Sequence, residues 1–325
     1  MTLDIYFPKF APFLLSEKTA PAFAKLCSIG QWQQDQDHPL EATLCRQFGL
    51  QKQQDWPLSL MAAMGEDLVF EADYLFLVHP ANFILQRDFF SFGEVIVLPP
   101  EDQTRLIDDL NAHFKDDGLG FVAGPSSAFW YLKVQKSVNV STTLLSGVMG
   151  RDVGPLMPQG NDGMAFQTLM NEVQMLMHEH PMNQEREANG LPLVNSLWLS
   201  GGGSVQALLK GDLKRAITLF ANDPVSKGLA KWAETAYLPL VRYDFSEIDS
   251  FVNDAVIVVE ETGDLEHDWF LPLLKSLQKH SVKAVCCHFD VHGITYTLKL
   301  KPRDAWKFWK KTLNSESYFT LASAA

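Results

Sequence analysis

Nowhere in its 325 residues does this chain carry the run of about 18 apolar side chains that a membrane-crossing helix needs. The opening MTLDIYFPKFAPFLLSEK also lacks the basic stretch and continuous apolar core of a secretory leader. Cations are scarce: 27 Lys and Arg stand against 39 Asp and Glu, a net charge of -12. That balance supplies no broad basic surface, so neither nucleic acid nor an anionic membrane is expected as a partner. Cysteine is scarce too. Only Cys27, Cys45, Cys286 and Cys287 occur, the last two adjacent in an apolar run, which suits reduced, buried thiols and a cytoplasmic setting. Internal repeats and low-complexity segments are missing as well.

What is present is ordinary globular material. A hydrophobic content of 46% is enough for a full core, with room for one large domain or two. The most informative stretch runs from Gly160 to Gly211. Phe166, Leu169, Met170, Val173, Leu176 and Met177 recur at helical spacing, and Pro181 ends that helix. Leu193 to Leu199 is short and apolar enough to be a strand covered on both faces. The run Ser200-Gly201-Gly202-Gly203-Ser204 follows at once, and is read here as a turn opening a helix. Such a turn leaves backbone N–H groups unpaired and concentrates positive partial charge, which makes an anion site.

The rest of the chain reads as two portions. The first sixty residues look helical and proline-broken, Gln31 to Asp37 is polar enough for a surface loop, and Pro39 to Phe48 and Pro57 to Met64 each open a short helix. Strands at Phe70 to Val78 and Glu94 to Leu98, a helix over Pro100 to Lys115 and a hairpin of Leu119 to Ala123 with Ala128 to Val134 complete an antiparallel α+β portion, residues 1–140. A Gly, Ser, Thr and Pro-rich stretch from Val140 to Gly160 sets the expected boundary. Beyond it, strands at Tyr237 to Tyr243, Ala255 to Val259 and Val282 to His288 alternate with helices at Pro224 to Thr235, Phe245 to Val252 and Leu265 to Lys279. Alternation of this kind predicts an α/β fold with a mainly parallel sheet flanked by helices in residues 141–325. Ile294 to Lys301 alternates as an antiparallel edge strand, and Asp304 to Leu313 closes the chain as a helix.

The chemistry-bearing residues point to binding more than to catalysis. Ser200, Gly201, Gly202, Gly203 and Ser204, with Asn195 nearby, are the candidate anion-binding set. They match neither a phosphate-binding GxxxxGK[ST] loop nor a GxSxG nucleophile turn, and neither serine has a base evident from sequence. His178 and His180 flank Glu179, but residues two apart on a helix diverge, so the trio reads as a polar helix end. His288, Asp290 and His292 alternate, so they either share a strand face suited to a metal or form the tip of a hairpin leading into Ile294. Glu260, Glu261, Asp264, Glu266 and Asp268 form an acidic loop after a parallel strand, read as solvated, with His267 among them. The methionines Met164, Met170, Met175, Met177 and Met182 are read as core filler, and Phe89, Phe90 and Phe92 as a patch on which a protein partner would dock.

Four segments carry a family resemblance: Leu77 to Asp88, LVHPANFILQRD; Asp109 to Val122, DLNAHFKDDGLGFV; Met170 to Gly203; and the DAWKFWKK close, Asp304 to Lys311. Together they resemble a bacterial family labelled cofactor-independent phosphoglycerate mutase-like, or Rpf-cluster-type regulatory protein. The mutases proper belong to the alkaline phosphatase superfamily and use two divalent metals with Asp and His ligands and a Ser nucleophile. Asn195, Trp198, Gly201 and Gly203 match their Asn-x-x-Trp-x-Trp-Gly-x-Gly segment, with Ser200 in place of the second Trp. Residues 1–30, however, hold no Asp-Gly metal motif after an apolar strand, and later Asp-Gly-His or Asp-His-Ser ligand pairs are missing. Two-metal phosphoryl transfer needs those groups. The expectation is therefore a mutase-like protein without the two-metal set, holding a small anionic or phosphorylated ligand, with no cofactor. The rival is a metal-dependent phosphoryl-transfer enzyme, which would bind Mn²⁺, Mg²⁺ or Zn²⁺ through Asp264, His267, Asp268, His288, Asp290 or His292. A protein-interaction scaffold is the third alternative.

Overall fold

Leu3, Ile5 and Phe7 alternate with Asp4 and Tyr6, and this period of two builds a strand where the proline-broken opening suggested helices. The computed structural model describes residues 1–15, 20–35, 38–125, 129–208, 217–240, 245, 253–260, 263–312, 317 and 319. In chain order the elements are β1 (Thr2–Phe7), α1 (Ala11–Leu14), α2 (Pro21–Ile29), β2 (Gln31–Asp35), α3 (Leu40–Gln47), α4 (Leu58–Gly65), β3 (Tyr74–Leu85), β4 (Phe90–Val95) and α5 (Pro100–His113). There follow β5 (Leu119–Ala123), β6 (Trp130–Val134), α6 (Gly163–His178), α7 (Pro181–Ala188), β7 (Ser196–Ser204), β8 (Ile217–Phe220) and α8 (Pro224–Trp232). The last are β9 (Ala236–Leu238), β10 (Asp254–Val258), α9 (Leu271–Gln278), β11 (Ala284–Val291) and β12 (Ile294–Leu300). They fall into two units, residues 1–49 with 212–325, and residues 50–211. The division therefore does not fall at 140/141. The Gly- and Ser-rich stretch there stays inside one unit, where Ser141 pairs with Gln159 and Trp198 donates its indole N–H to the Thr143 carbonyl at 2.9 Å.

The first unit is the α/β part. Its sheet runs β2-β12-β11-β1-β10-β8-β9, with β1 parallel to both β10 and β11 and β12 antiparallel to both its neighbours. The stretch Gln31–Asp35, expected as a loop, is the strand that covers β12, so β12 is not an edge. Its polar side chains suit an outermost strand, which has solvent on one side. One sheet face buries Leu3, Ile5, Phe7, Ala255 and Ile257 against Phe23 and Leu26 of α2 and Leu273 and Leu277 of α9. The expected C-terminal helix is instead a single 3-10 turn, Pro302–Trp306. Parts of the Tyr237 to Tyr243 strand, nearly all of the Phe245 to Val252 helix and Leu313 lie outside the described residues. Glu266, expected in a solvated loop, is buried and accepts the Ala22 and Phe23 N–H groups at 2.5 and 3.0 Å. A carboxylate fits there because the start of α2 exposes unpaired donors, and its N-cap, Ala20, has no side chain able to accept them.

The second unit is antiparallel. β3 pairs along one edge with β7 and along the other with β6 at Tyr74–Val78 and then with β4 at Ala81–Leu85. β5 and β6 form the expected hairpin, though Ser126 and Ser127 of its turn lie outside the described residues. One face of this sheet buries Phe76, Val78 and Leu132 against Leu106 and Leu110 of α5 and Phe166, Leu169 and Val173 of α6. α4 lies on β3 and β7 from the other side, its Ser59 hydroxyl donating to the Leu75 carbonyl at 2.8 Å. Asn183 ties α7 to the approach of β7, donating to the Met177 and Val194 carbonyls at 2.7 Å and accepting the Val194 N–H at 3.0 Å.

Candidate functional site

The three glycines lie inside β7, and among the described residues no helix opens on them. Gly201 has φ +61 beside the register shift between Leu75 and Leu77 of β3, a bulge that only glycine adopts without strain. Side chains at the next two positions would collide with the core. A Cβ on Gly202 would stand 2.6 Å from Phe76 Cε1, and one on Gly203 would stand 2.5 Å from Pro57 Cβ. The glycines therefore let α4 and two aromatic rings lie directly on the strand. Gly203→Ala is expected to destabilise the chain by about 2 kcal/mol through overpacking, checked by urea denaturation. A change below ~0.5 kcal/mol would mean that the α4 contact yields, and this account of Gly203 would be wrong.

One backbone donor of this strand already faces an anion, and it is the chain's own. The buried Asp55 carboxylate accepts the Gly202 N–H at 3.4 Å, the Thr142 N–H at 2.9 Å and the Thr142 hydroxyl. Burial pushes its pKa up to about 6, while those hydrogen bonds and Lys52 pull the other way. Next to it Tyr74 is 3% exposed, and its hydroxyl has no hydrogen-bond partner. Burial, then the Asp55 charge, raises the Tyr74 pKa, so the phenol stays protonated. Ser204 ends the strand, its N–H donating to Gln53 Oε1 at 2.8 Å and its carbonyl accepting from Gln53 Nε2 at 3.1 Å. A recess opens here, lined by Lys52, Gln53, Tyr74, Ser137 and Ser204 among others.

Of the candidate anion set, only Ser204 lines that recess. Ser200 is buried deeper, and its hydroxyl meets Nε2 of buried His79 at 2.9 Å. Reading the sequence found no base for this serine because the partner lies 121 positions away on β3. Desolvation lowers the His79 pKa to about 4, so the imidazole is neutral near pH 7. A serine hydrogen-bonded to a neutral imidazole is the geometry of a nucleophile and its base. The two residues are 2% and 4% exposed, and neither lines the recess at Ser204 or the groove at Asn195. Asn195 stands apart, its amide exchanging hydrogen bonds with the Phe83 N–H at 2.7 Å and the Phe83 carbonyl at 2.8 Å. It lines a separate groove with His113, His178, Glu179 and His180.

The histidine motifs resolve into local structure. His178 ends α6, Glu179 caps it, and His180 caps α7, with Nδ1 accepting the Met182 N–H at 3.2 Å and Nε2 facing Asp109 Oδ2 at 3.0 Å. Since Nδ1 accepts, the ring proton sits on Nε2 and points at the carboxylate. His292, with φ 53, and Gly293 make the turn between β11 and β12, so the hairpin reading holds. His288 and Asp290 share a face of β11, but His288 stacks on Tyr6 at 4.4 Å, its Nδ1 meets the Thr297 hydroxyl at 2.9 Å and its Nε2 lies 3.6 Å from Asp4. Burial raises Asp290 to about 7. Asp264 and His267, both exposed, pair at 2.8 Å at the start of the π-helical segment Glu266–Phe270, which also carries Asp268 and is remote in sequence from the β11 residues. Among the described residues no three His, Cys, Asp or Glu side chains converge as metal ligands would.

Among the described residues, the donor set of the two-metal centre that the mutase resemblance implies is not assembled. In open parallel sheets ligands sit at the C-terminal strand edge. Near the ends of β1 and β11, Phe7 and Phe289 stack at 5.2 Å within the core, with Phe10 4.5 Å from Phe289 and Phe23 4.6 Å from Phe270, while Asp290 follows Phe289 on β11 and Glu260 follows β10.

No protein-family model matches the chain. Over 89 residues, 25% of the chain, it is 29% identical to a 2,3-bisphosphoglycerate-independent phosphoglycerate mutase of Methanothrix thermoacetophila, a match spanning 23% of that protein's length. Among solved structures it is similar to a cofactor-independent phosphoglycerate mutase from Thermoplasma acidophilum, at 14% identity and TM-score 0.42, covering 99% of each chain. It is also similar to the PH0037 protein from Pyrococcus horikoshii, at 15% identity and TM-score 0.43, covering 92% of this chain and 87% of that one. The sequence match agrees with the mutase resemblance over that quarter of the chain.

Two other expectations from the sequence are modified. Met170, Met177 and Met182 are core, but Met164 and Met175 are 73% and 75% exposed. Phe92 is buried, while Phe89 and Phe90 are exposed beside Ile84 and Leu85. Cys27, Cys45 and Cys287 are buried as expected, whereas Cys286 is half-buried. Among the described residues, no helix is long and apolar enough to cross a membrane.

Proposed function

We propose that this chain is a mutase-like protein that binds a small anionic or phosphorylated ligand without turning it over, in a regulatory role. The ligand sits in the recess at the Ser204 end of β7, between the Lys52 ammonium and the Tyr74 hydroxyl. One observation carries this reading: Tyr74 lines the recess and its buried hydroxyl has no partner within the chain. An unmet buried hydroxyl costs free energy that a ligand oxygen recovers. Lys52 and Ser137 line the same recess, both exposed, and provide a charged and a neutral donor.

Asp55 makes the binding acid-sensitive. It is next to Tyr74 and feels Lys52, and its negative charge opposes a second anion until it takes a proton at about pH 6. Sulfate tests this, because its own charge is constant across that range. Isothermal titration is expected to show sulfate affinity rising several-fold as the pH falls from about 7 to about 5. Lys52→Ala is expected to weaken binding about tenfold and Tyr74→Phe several-fold, a loss of ~1 kcal/mol. Wild-type affinity in both variants would remove the recess as the site. Stoichiometric Mn²⁺ with mutase or phosphatase turnover would replace this reading with the enzymatic one.

A further inference from the structure

An acidic chain keeps one stretch of surface free of acids. Between Lys301 and Thr312 the only acid is Asp304, which is buried and bonded to Lys307 Nζ at 2.7 Å and to the Lys301 N–H at 2.8 Å. Its charge is met internally, while Lys301, Arg303, Lys310 and Lys311 are exposed. On the same stretch Trp306 is 59% exposed, Phe308 84% and Trp309 66%, with the Phe308 and Trp309 rings 5.3 Å apart. The segment is anchored despite that exposure. Lys307 Nζ donates to the Ile29 carbonyl at 3.2 Å, and Lys25 Nζ donates to the Lys307 carbonyl at 3.0 Å. Large rings held in water by a fixed backbone are a standing cost unless something covers them.

We propose that this patch docks the chain on an anionic lipid bilayer. Charge complementarity fixes the sign of the occupant: four exposed cations with no exposed acid among residues 301–312 call for a negative surface. The ring types argue for lipid, since indoles sit at the headgroup level with their apolar bodies inward and their N–H groups wet. The net charge of -12, which argued against a membrane when averaged over the chain, now acts on orientation. Repulsion of the remaining surface leaves this face as the one that approaches.

Co-sedimentation of the whole chain with vesicles tests this. Binding is expected to phosphatidylcholine vesicles carrying roughly one-third phosphatidylglycerol, with little binding to phosphatidylcholine alone. Replacing Trp306, Phe308 and Trp309 together by alanine should weaken it at least about tenfold, and Lys310→Glu with Lys311→Glu should do the same. Since these side chains are exposed, the urea midpoint should not move, which separates lost docking from lost fold. Equal binding to neutral and anionic vesicles, or unaffected variants, would overturn the proposal. A change in oligomeric state in the aromatic variant without vesicle binding would also overturn it, and would assign the patch to a second copy of the chain.

Discussion

Glu266→Ala is expected to cost about 4 kcal/mol of unfolding free energy, more than any other single change considered for this chain. The carboxylate reaches back over 244 and 243 positions to the Ala22 and Phe23 N–H groups, both in buried contacts. α2 has Pro21 in its first turn, which spares one donor, but Ala20 cannot accept the next ones. Alanine would leave two buried donors unmet, each at about 1–3 kcal/mol, and would remove a negative charge from the positive end of the helix. The consequence spreads because α2 carries Phe23 and Leu26 into the core of the first unit. Glu266→Gln retains one carbonyl oxygen and should lose only about half as much. Urea denaturation of the three proteins reads both steps, and a loss under about 1 kcal/mol for alanine would show that the helix start finds water instead.

Glu266 also marks the limit of local signals. It stands in an acidic run that fits a solvated loop, and nothing local marks one carboxylate of that run as the cap of a helix 244 positions away. The parallel alternation in the second half was legible because period and punctuation are local: Pro224 opens α8, and Pro272 lies in the first turn of α9. β1 was missed although Leu3, Ile5 and Phe7 alternate cleanly, because Pro8, Pro12 and Pro21 dominate the composition around it. β2 was missed because QWQQD has an outer strand's polarity, and only its pairing with β12 makes it a strand. The glycine run of β7 marks an unusual backbone, but its geometry is a bulged strand and not a turn opening a helix. A run of glycines signals close backbone approach, whether to a ligand or to a neighbouring element. Only the positions of Pro57, Leu58 and Phe76 decide which. The recess joins Lys52, Tyr74, Ser137 and Ser204 from four separate stretches, so no motif could have listed them.

Two buried groups of the second unit should give opposite dependences on pH that largely hide each other. His79 has its pKa lowered by desolvation to about 4, below the ordinary value of about 6.5. Its contribution to stability is complete above about pH 6.5 and is lost as the pH falls toward 4, because the unfolded chain takes up the proton first. Asp55 has its pKa raised by desolvation to about 6, above the ordinary value of about 3.9. Its contribution is complete below about pH 3.9 and is lost as the pH rises through 6, because the folded chain holds the proton longer. Each shift is about two pKa units, so each is worth roughly 3 kcal/mol across nearly the same window. Comparison with wild type isolates them. The stability of His79→Gln relative to wild type should rise by about 3 kcal/mol as the pH is lowered from 7 to 4. For Asp55→Asn, stability relative to wild type should rise by about 2 kcal/mol as the pH is raised from 4 to 7, since the amide carries no charge to desolvate. Urea denaturation at both pH values provides the four differences needed. Parallel curves for either variant and wild type would show that water or a shift of the fold relieves the burial on which that group's assignment rests.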